Sequence, residues 1–398
     1  MTGHVKAAPI EKKFFTSGVK ILFLLFGAGL AVAIYRIFTG LGAVTNLNNQ
    51  YPLGLWIGVD VASGVALAAG GFTTAALIHI FWREKYAVIG RPAHLTAMLG
   101  YTFVGIGLLF DLGRWYNIWH PALPMMWQGN SVLFEVGMCV MIYLTVLYIE
   151  FIPIVCERFI GHAPKWIDAI LRFLDKIMSK IMWIFIILGV VLSCLHQSSL
   201  GNLLVIAPYK MHPLWYTSML PVLFLISAIA VGFPMVIFES IWASRSLGRK
   251  PEMNILSPLA KMIPVTVGLY FILKVIDLTI REAWGYAFEG SLQSTMFLLE
   301  FIVGLVIPLF MFFLEKVRRT PKLLFIASTL YIVFGVLLNR VNVFFIGYQP
   351  QYAVKQYVPT IWEFLVTIGL ISALVILYRA FVTIFPILPA PEKKFDLR

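Results

Sequence analysis

The predicted fold is an all-α, polytopic transmembrane bundle of about ten helices with both termini cytoplasmic, and three observations predict it. Hydrophobic residues make up 60% of the 398-residue chain and charged residues only 13%, against about 25% charged in ordinary soluble domains. Spanning a bilayer core takes roughly 20 apolar residues. Ten runs reach that length, at 18–38, 53–81, 93–112, 130–154, 178–198, 214–243, 258–280, 293–314, 323–345 and 361–385. Alternating strand-length segments are missing, and backbone that faces lipid must then satisfy itself as helix.

The runs describe one integral membrane domain, 1–398, in four parts: a first helix (18–38), a four-helix bundle (53–198), a second four-helix bundle (214–345) and a last helix (361–385). The first run is too long for a signal-peptide core and no small-residue cleavage pattern follows Phe38, so it is read as retained. The second is glycine-rich, and Gly54 with Gly58 has the small-xxx-small spacing that permits close helix approach. Pro153, Pro234, Pro264 and Pro308 interrupt the fourth, sixth, seventh and eighth runs, where neighbouring groups can re-satisfy the freed carbonyls. The fifth closes with Leu195-His196-Gln197-Ser198-Ser199-Leu200-Gly201, placing an imidazole, an amide and hydroxyls where such runs exclude polarity. In the ninth and tenth, Arg340 and Glu363 lie near outer ends and are expected to snorkel or pair. The longest connection, 155–180, holds a basic amphipathic stretch, Trp166 to Leu174, that suits an interfacial helix on the cytoplasmic leaflet.

Lysine and arginine set the orientation. With the N-terminus inside, the tails and inside connections hold 21 of them; the outside connections hold four, Arg114, Lys210, Arg281 and Lys355. The net charge of +12 therefore describes the cytoplasmic face of a membrane, with lipid as partner, and speaks against nucleic acid. Tryptophans at run ends, among them Trp82, Trp115, Trp119, Trp215 and Trp242, form the expected interfacial belt.

Ionisable residues at membrane depth are rare and mark function by default. At about 1.5 Å of rise per residue, Glu135 lies about 8 Å below the outer end of the fourth run. Asp60, Asp111, His196 and Gln197 fall at similar depth with Arg114 nearby, which predicts one polar pocket in the outer third. From the inner side, Glu239 and Glu150 lie a few residues in and Tyr101 about 12 Å in, with His79, His94 and Arg91 at the rim. Glu239, Tyr101 and Glu135 read as a proton ladder. Lys274, Asp277 and Arg281 share a helical face and are expected to neutralise one another, whereas Glu300 has no assigned partner.

Cys139, Cys156 and Cys194 form no CxxC spacing, so the chain cannot ligate an iron–sulfur cluster by itself, and no metal site is expected. A b-type haem needs axial ligands at matched depth. The near-matched pairs, His79 with His94 and His196 with His212, lie at the rims and argue against one.

The string Leu41-Gly42-Ala43-Val44-Thr45-Asn46-Leu47-Asn48, followed by Pro52-Leu53-Gly54-Leu55-Trp56-Ile57-Gly58-Val59-Asp60, resembles the NrfD/PsrC family of membrane quinone-interacting subunits. Gly100-Tyr101, Asp111-Leu112-Gly113-Arg114, Asn130 to Glu135, His196 to Gly201, His212-Pro213-Leu214-Trp215 and Phe238-Glu239 extend the likeness, which is nearest to the HybB-type branch of hydrogenase-2-like and multihaem-cytochrome-linked complexes. The resemblance covers roughly residues 40–240. It implies a subunit of a quinone-linked respiratory complex in the inner membrane, with no haem or iron–sulfur cluster of its own. A periplasmic ferredoxin-like iron–sulfur subunit would dock on it and connect to a catalytic subunit of hydrogenase, multihaem cytochrome or molybdopterin type. Menaquinone or another quinone would bind near the outer face at His196, Glu135, Gln197, Asp60, Asp111 and Arg114, with Glu135, Tyr101, Glu239 and Arg91 on a proton path. The same buried charges would also suit a secondary transporter or ion channel, or a b-type haem anchor, but no repeat of the transporter kind is evident.

Overall fold

A computed structural model describes residues 7–389. Among the described residues, ten helices are long and apolar enough to cross a membrane: α1 (Ser17–Thr39), α2 (Trp56–Ile80), α3 (Glu84–Asp111), α4 (Val132–Phe159), α5 (Lys165–Val205), α6 (Leu220–Ser246), α7 (Met253–Ile280), α8 (Leu292–Phe313), α9 (Pro321–Ile346) and α10 (Ile361–Ile384). The predicted all-helical membrane bundle is therefore present. Among the described residues, strand is confined to two-residue pieces, β1 (Ala7–Ala8) and β2 (Leu388–Pro389), paired antiparallel. That pairing places the first and last described residues at one end of the bundle, the termini end.

The fifth helix departs from the expected boundaries in both directions. No proline occurs between Lys165 and Val205, so the amphipathic stretch and the apolar run form one 41-residue helix. At 1.5 Å per residue it is about 60 Å long, roughly twice the hydrocarbon thickness. Its first turns are anchored by Asp168, which accepts from the Gly161 amide at 2.6 Å and from Arg172 at 2.7 Å. The stretch expected to lie separately on the leaflet is thus the lower part of a spanning helix. At the other end the polar heptapeptide does not stop the helix. His196 lies nine residues before Val205, about 14 Å along the axis.

Helix α2 is the most buried of the ten and packs against α3, α6, α9 and α10. Backbone contact there depends on missing side chains. A Cβ on Gly71 would stand 2.4 Å from that of Ala97 in α3, and one on Gly232 in α6 would meet Thr73 Oγ1 at 2.3 Å. Elsewhere Gly29 of α1 faces Gly369 of α10, and Gly304 of α8 faces Gly335 of α9. Gly54 and Gly58 do not perform that role. Gly54 makes room for the Tyr357 hydroxyl and Leu47, whereas Gly58 has only ordinary contact with Phe345.

Several helices depart from α geometry. π-helical turns occupy Trp56–Ser63 and Ala76–Ile80 in α2, Leu299–Val306 in α8, and Tyr331–Leu337 and Asn342–Ile346 in α9. Such turns often accompany functional sites.

Candidate functional site

The break in α2 builds the first piece of the site. At Ala68–Ala69 the helix tightens, and the Ala69 amide turns back to Ala66 O instead of Val65 O. The Val65 carbonyl, freed from its usual partner, accepts Gln197 Nε2 from α5 at 2.8 Å and faces the Tyr101 hydroxyl from α3 at 3.4 Å. Tyr101, His196 and Gln197 are all fully buried. His196 Nδ1 lies 2.7 Å from Leu192 O, and its Nε2 is in a short hydrogen bond with the Tyr101 hydroxyl. Tyr143 of α4 closes the group, its ring edge-on to Tyr101 at 4.7 Å. Three sequence candidates, His196, Gln197 and Tyr101, are therefore in one cluster.

Glu135 lies nearby but at the surface. It sits exposed in the first turn of α4 and accepts a hydrogen bond from Ser199 Oγ at 2.6 Å. Ser199 and His196 are three residues apart in α5 and so share a face. The arrangement runs from an exposed carboxylate, through a hydroxyl, to a buried phenol–imidazole couple.

Asp60 and Asp111 are elsewhere. Asp60 Oδ2 accepts from Thr367 of α10 at 2.7 Å, and its Cβ lies over Gly107. Asp111 is within electrostatic reach of Asp60, Arg36 and Glu363, and its Oδ1 is buried without a partner. Arg36 is almost fully buried and donates to Leu112 O, leaving its own Nε unpartnered. These groups form a compartment between α1, α2, α3 and α10. Depth reasoning grouped them with His196 because equal depth says nothing about which way a helix faces. Glu363, expected to snorkel or pair, is buried and completes the capping box of α10 with Thr360. It also accepts from the Tyr357 hydroxyl, whose burial and carboxylate neighbour push its pKa well above the ordinary value. Arg114 is exposed in the α3–α4 connection.

At the termini end, Arg91 pairs with Glu157 at 2.6 Å and donates to Pro386 O at 2.8 Å. Glu239 faces Thr96 and Tyr378, with one buried carboxylate oxygen lacking a formed hydrogen bond. Tyr378 also lines a cleft of about 500 Å³ bordered by Ser240, Ser244, Arg249 and Leu388. Between these levels, His94 Nδ1 lies 3.3 Å from Glu150 and its Nε2 lies 3.1 Å from Leu147 O. The sequence offered His94 and Glu150 separately; their register across two antiparallel helices was the missing information.

A second polar network fills the outer part of α7, α8 and α9. Glu300 is the hub: Lys274 donates to Oε1, as does Asn339 at 2.9 Å, while Trp215 and Asn342 donate to Oε2 at 3.0 and 2.8 Å. Asp277 pairs with Arg281 as expected, at 2.6 Å, but Lys274 goes to Glu300 on the neighbouring helix. Arg340 does not snorkel. It is buried, donates to Asn339 and Ser227, and stands 3.7 Å above the Phe224 ring. With four donors on its hub, the network is built to hold charge in place.

Comparison with known proteins identifies the family. The family described as Polysulphide reductase, NrfD, matches residues 43–351. A protein of Nitratidesulfovibrio vulgaris is 36% identical, covering 96% of this chain and 97% of its own length. The probable Ni/Fe-hydrogenase 2 b-type cytochrome subunit of Escherichia coli is 33% identical over 98% of this chain and 96% of its own. The integral membrane subunit of menaquinone reductase from Nitratidesulfovibrio vulgaris is 27% identical over 94% and 92%. With a family match over most of its length and ten spanning helices, the chain is a multi-pass integral membrane protein of the NrfD family.

Proposed function

We propose that this chain is the membrane subunit through which a periplasm-facing respiratory oxidoreductase complex exchanges electrons with quinone, menaquinone being the type named for one relative. The observation that carries the reading is the buried Tyr101–His196 couple, connected along one face of α5 to Ser199 and the exposed Glu135. The lysine and arginine asymmetry supports assigning the termini end to the cytoplasm. Glu135 then lies near the outer face of the inner membrane, open to quinone arriving from lipid.

Reducing a quinone consumes two electrons and two protons. The electrons come from the clusters of a periplasmic ferredoxin-like partner, fed by a catalytic subunit of hydrogenase, multihaem cytochrome or molybdopterin type. The chain's own residues handle protons and position. Leu192 O can only accept, so His196 Nδ1 carries the hydrogen and Nε2 accepts from the Tyr101 hydroxyl. His196 acts through Tyr101: Nε2 takes the phenolic proton or returns it. Gln197 holds Val65 O beside the phenol and so fixes its angle. Glu135, oriented by Ser199, takes or supplies the proton at the rim. Asp60 and Asp111 bias the neighbouring compartment, and Arg114 is placed to meet the partner subunit. Glu239 and Arg91 serve protons near the termini end.

The name of the Escherichia coli relative raises a b-type haem. Such a haem takes two imidazole nitrogens from facing helices. Both ring nitrogens of His94 and of His196 already face protein atoms, His79 and His162 are exposed, His120 lies in the α3–α4 connection outside the spanning helices, and His212 Nδ1 accepts the Leu214 amide at 3.3 Å. The described histidines do not fit a haem pair on facing helices.

The test is Glu135→Gln in the assembled complex. Quinone-linked turnover should fall by on the order of 100-fold, the scale of a lost proton donor, while dye-linked turnover of the catalytic partner stays normal. Unimpaired quinone reduction removes Glu135 and the reading with it.

A further inference from the structure

Three matched pairs of side chains stack between α3 and α4, and they start at the buried phenol. Tyr101 meets Tyr143 edge to face at 4.7 Å. Seven residues toward the termini end on both helices, His94 meets Glu150 at 3.3 Å. Seven residues beyond Glu150, Glu157 meets Arg91 at 2.6 Å, half-exposed at the bundle mouth. The first step is two helical turns on both antiparallel helices; the second is two turns on α4 and three residues, under one turn, on α3, where the long Arg91 side chain reaches across to Glu157. A stack of titratable groups on a shared seam is a costly arrangement in a membrane and needs a reason beyond packing.

We infer that this seam carries protons between the termini-end surface and the Tyr101–His196 couple, with His94 and Glu150 as the exchanging pair. The inference rests on the quinone reading above. The His94 rung has the required chemistry. Leu147 O accepts only, so Nε2 keeps its hydrogen and Nδ1 turns its lone pair or its proton to Glu150. The gap therefore has a place for one proton, held as N–H against carboxylate or as O–H against neutral imidazole, and it is empty when neutral imidazole faces carboxylate. A proton entering from water at the mouth binds the free Nδ1 of neutral His94, since Nε2 already holds a hydrogen, and then crosses the gap to Glu150. Glu150 then releases it toward Tyr143, and the pair returns to its starting state.

The step from Glu150 to Tyr143 crosses a space kept open by Gly189 of α5. A Cβ there would stand 3.1 Å from Glu150 Oε1 and 3.5 Å from the Tyr143 ring. Past Tyr143, Ser193 lies within reach of both the Tyr143 and Tyr101 hydroxyls, and its own hydroxyl is buried with no formed hydrogen bond. A buried hydroxyl without a partner points to water beside it. His79 of α2 also faces Glu150 electrostatically. Glu239 faces Thr96 and Tyr378 instead, and so stands off this seam.

The experiment uses the whole complex with quinone and three variants, Glu150→Gln, Gly189→Val and Glu239→Gln. Glu150→Gln should slow quinone-linked turnover by roughly tenfold or more, as expected for a lost proton carrier. Small permeant weak acids added to the medium should restore much of the rate, which a merely structural lesion would not permit. Gly189→Val removes no titratable group, yet it should slow turnover and respond to the same acids. Should Glu150→Gln fail to fold, Gly189→Val carries the test. Turnover within about twofold of wild type in both variants overturns the inference. Slow turnover that weak acids do not restore, or rescue confined to Glu239→Gln, overturns it as well. Failure of the quinone reading is separately visible, because there Glu135→Gln would leave turnover intact.

Discussion

His196 Nδ1 lies 2.7 Å from the carbonyl of Leu192, one turn earlier in its own helix, and this contact decides what the other nitrogen does. The carbonyl has no hydrogen to give, so the imidazole presents Nε2 as an acceptor and Tyr101 must be the donor. The helix orients its own proton-exchanging residue, independently of any bound molecule.

Removing the Tyr101 hydroxyl should therefore uncouple the imidazole without disturbing packing. Tyr101→Phe keeps the ring contacts with Tyr143 and His196 and should fold, with stability lower by about 1–3 kcal/mol because His196 Nε2 loses its donor in a buried position. Quinone-linked turnover should drop by on the order of 100-fold. Wild-type rates in Tyr101→Phe would take the phenol out of the reaction.

Gln197 carries a structural load that can be read separately. Gln197→Leu leaves Val65 O without its 2.8 Å donor in a buried position. Stability should fall by about 1–3 kcal/mol, the cost of an unpaired buried polar group. Thermal unfolding in detergent measures it, and an unchanged midpoint would mean that the carbonyl finds another donor.

The contact of α8 with α9 depends on Gly304. A Cβ there would meet the Phe334 carbonyl carbon at 2.2 Å, so even alanine forces two backbones apart. Gly304→Ala should cost about 1–3 kcal/mol or more through overpacking, and should loosen the Glu300 network that spans the same helices. Hydrogen exchange at Tyr331–Leu337 reports this directly; protection equal to wild type would contradict it.

Stability should also depend on pH through His212, which lies in the α5–α6 connection outside the spanning helices. Burial lowers its pKa below the ordinary 6.5, with Glu289 opposing more weakly. The neutral ring is the one that fits, since Nδ1 accepts the Leu214 amide. A lowered pKa means that the unfolded chain binds the proton more readily. The stabilisation is therefore full above 6.5 and is lost as pH falls through the window between that value and the folded pKa. The thermal midpoint should decline over that acid range, and the decline should shrink in His212→Asn. Identical pH profiles for the two proteins would refute the assignment.

The ten spans were legible because length and hydropathy act on every residue of a run, and bilayer thickness fixes the scale. Rotation about the helix axis was not. Asp60 and His196 have similar expected depths, yet Asp60 turns to Thr367 of α10 while His196 turns to Tyr101 of α3. The end of α5 was misjudged for a related reason. Polar residues that would close a lipid-exposed run continue as helix when neighbouring chains satisfy them, as Val65 O and Tyr101 do for Gln197 and His196. Glu300 could not be matched to Lys274, 26 residues earlier, because only packing of α7 against α8 brings them together.

The clasp of β1 with β2 has a consequence for how the chain comes into being. Ala7 and Ala8 find their partners only at Pro389 and Leu388, so the earliest described residues wait at the membrane surface until synthesis has passed residue 389. Lys12 on Leu247 O, Arg249 on Pro389 O and Arg379 on the Phe14 and Lys13 carbonyls tie the same ends together. Helix α1, which packs along α10, inserts first yet gains its neighbour last. Docking of α1 therefore waits for α10, and a chain cut short before α10 would leave α1 without that neighbour in the lipid.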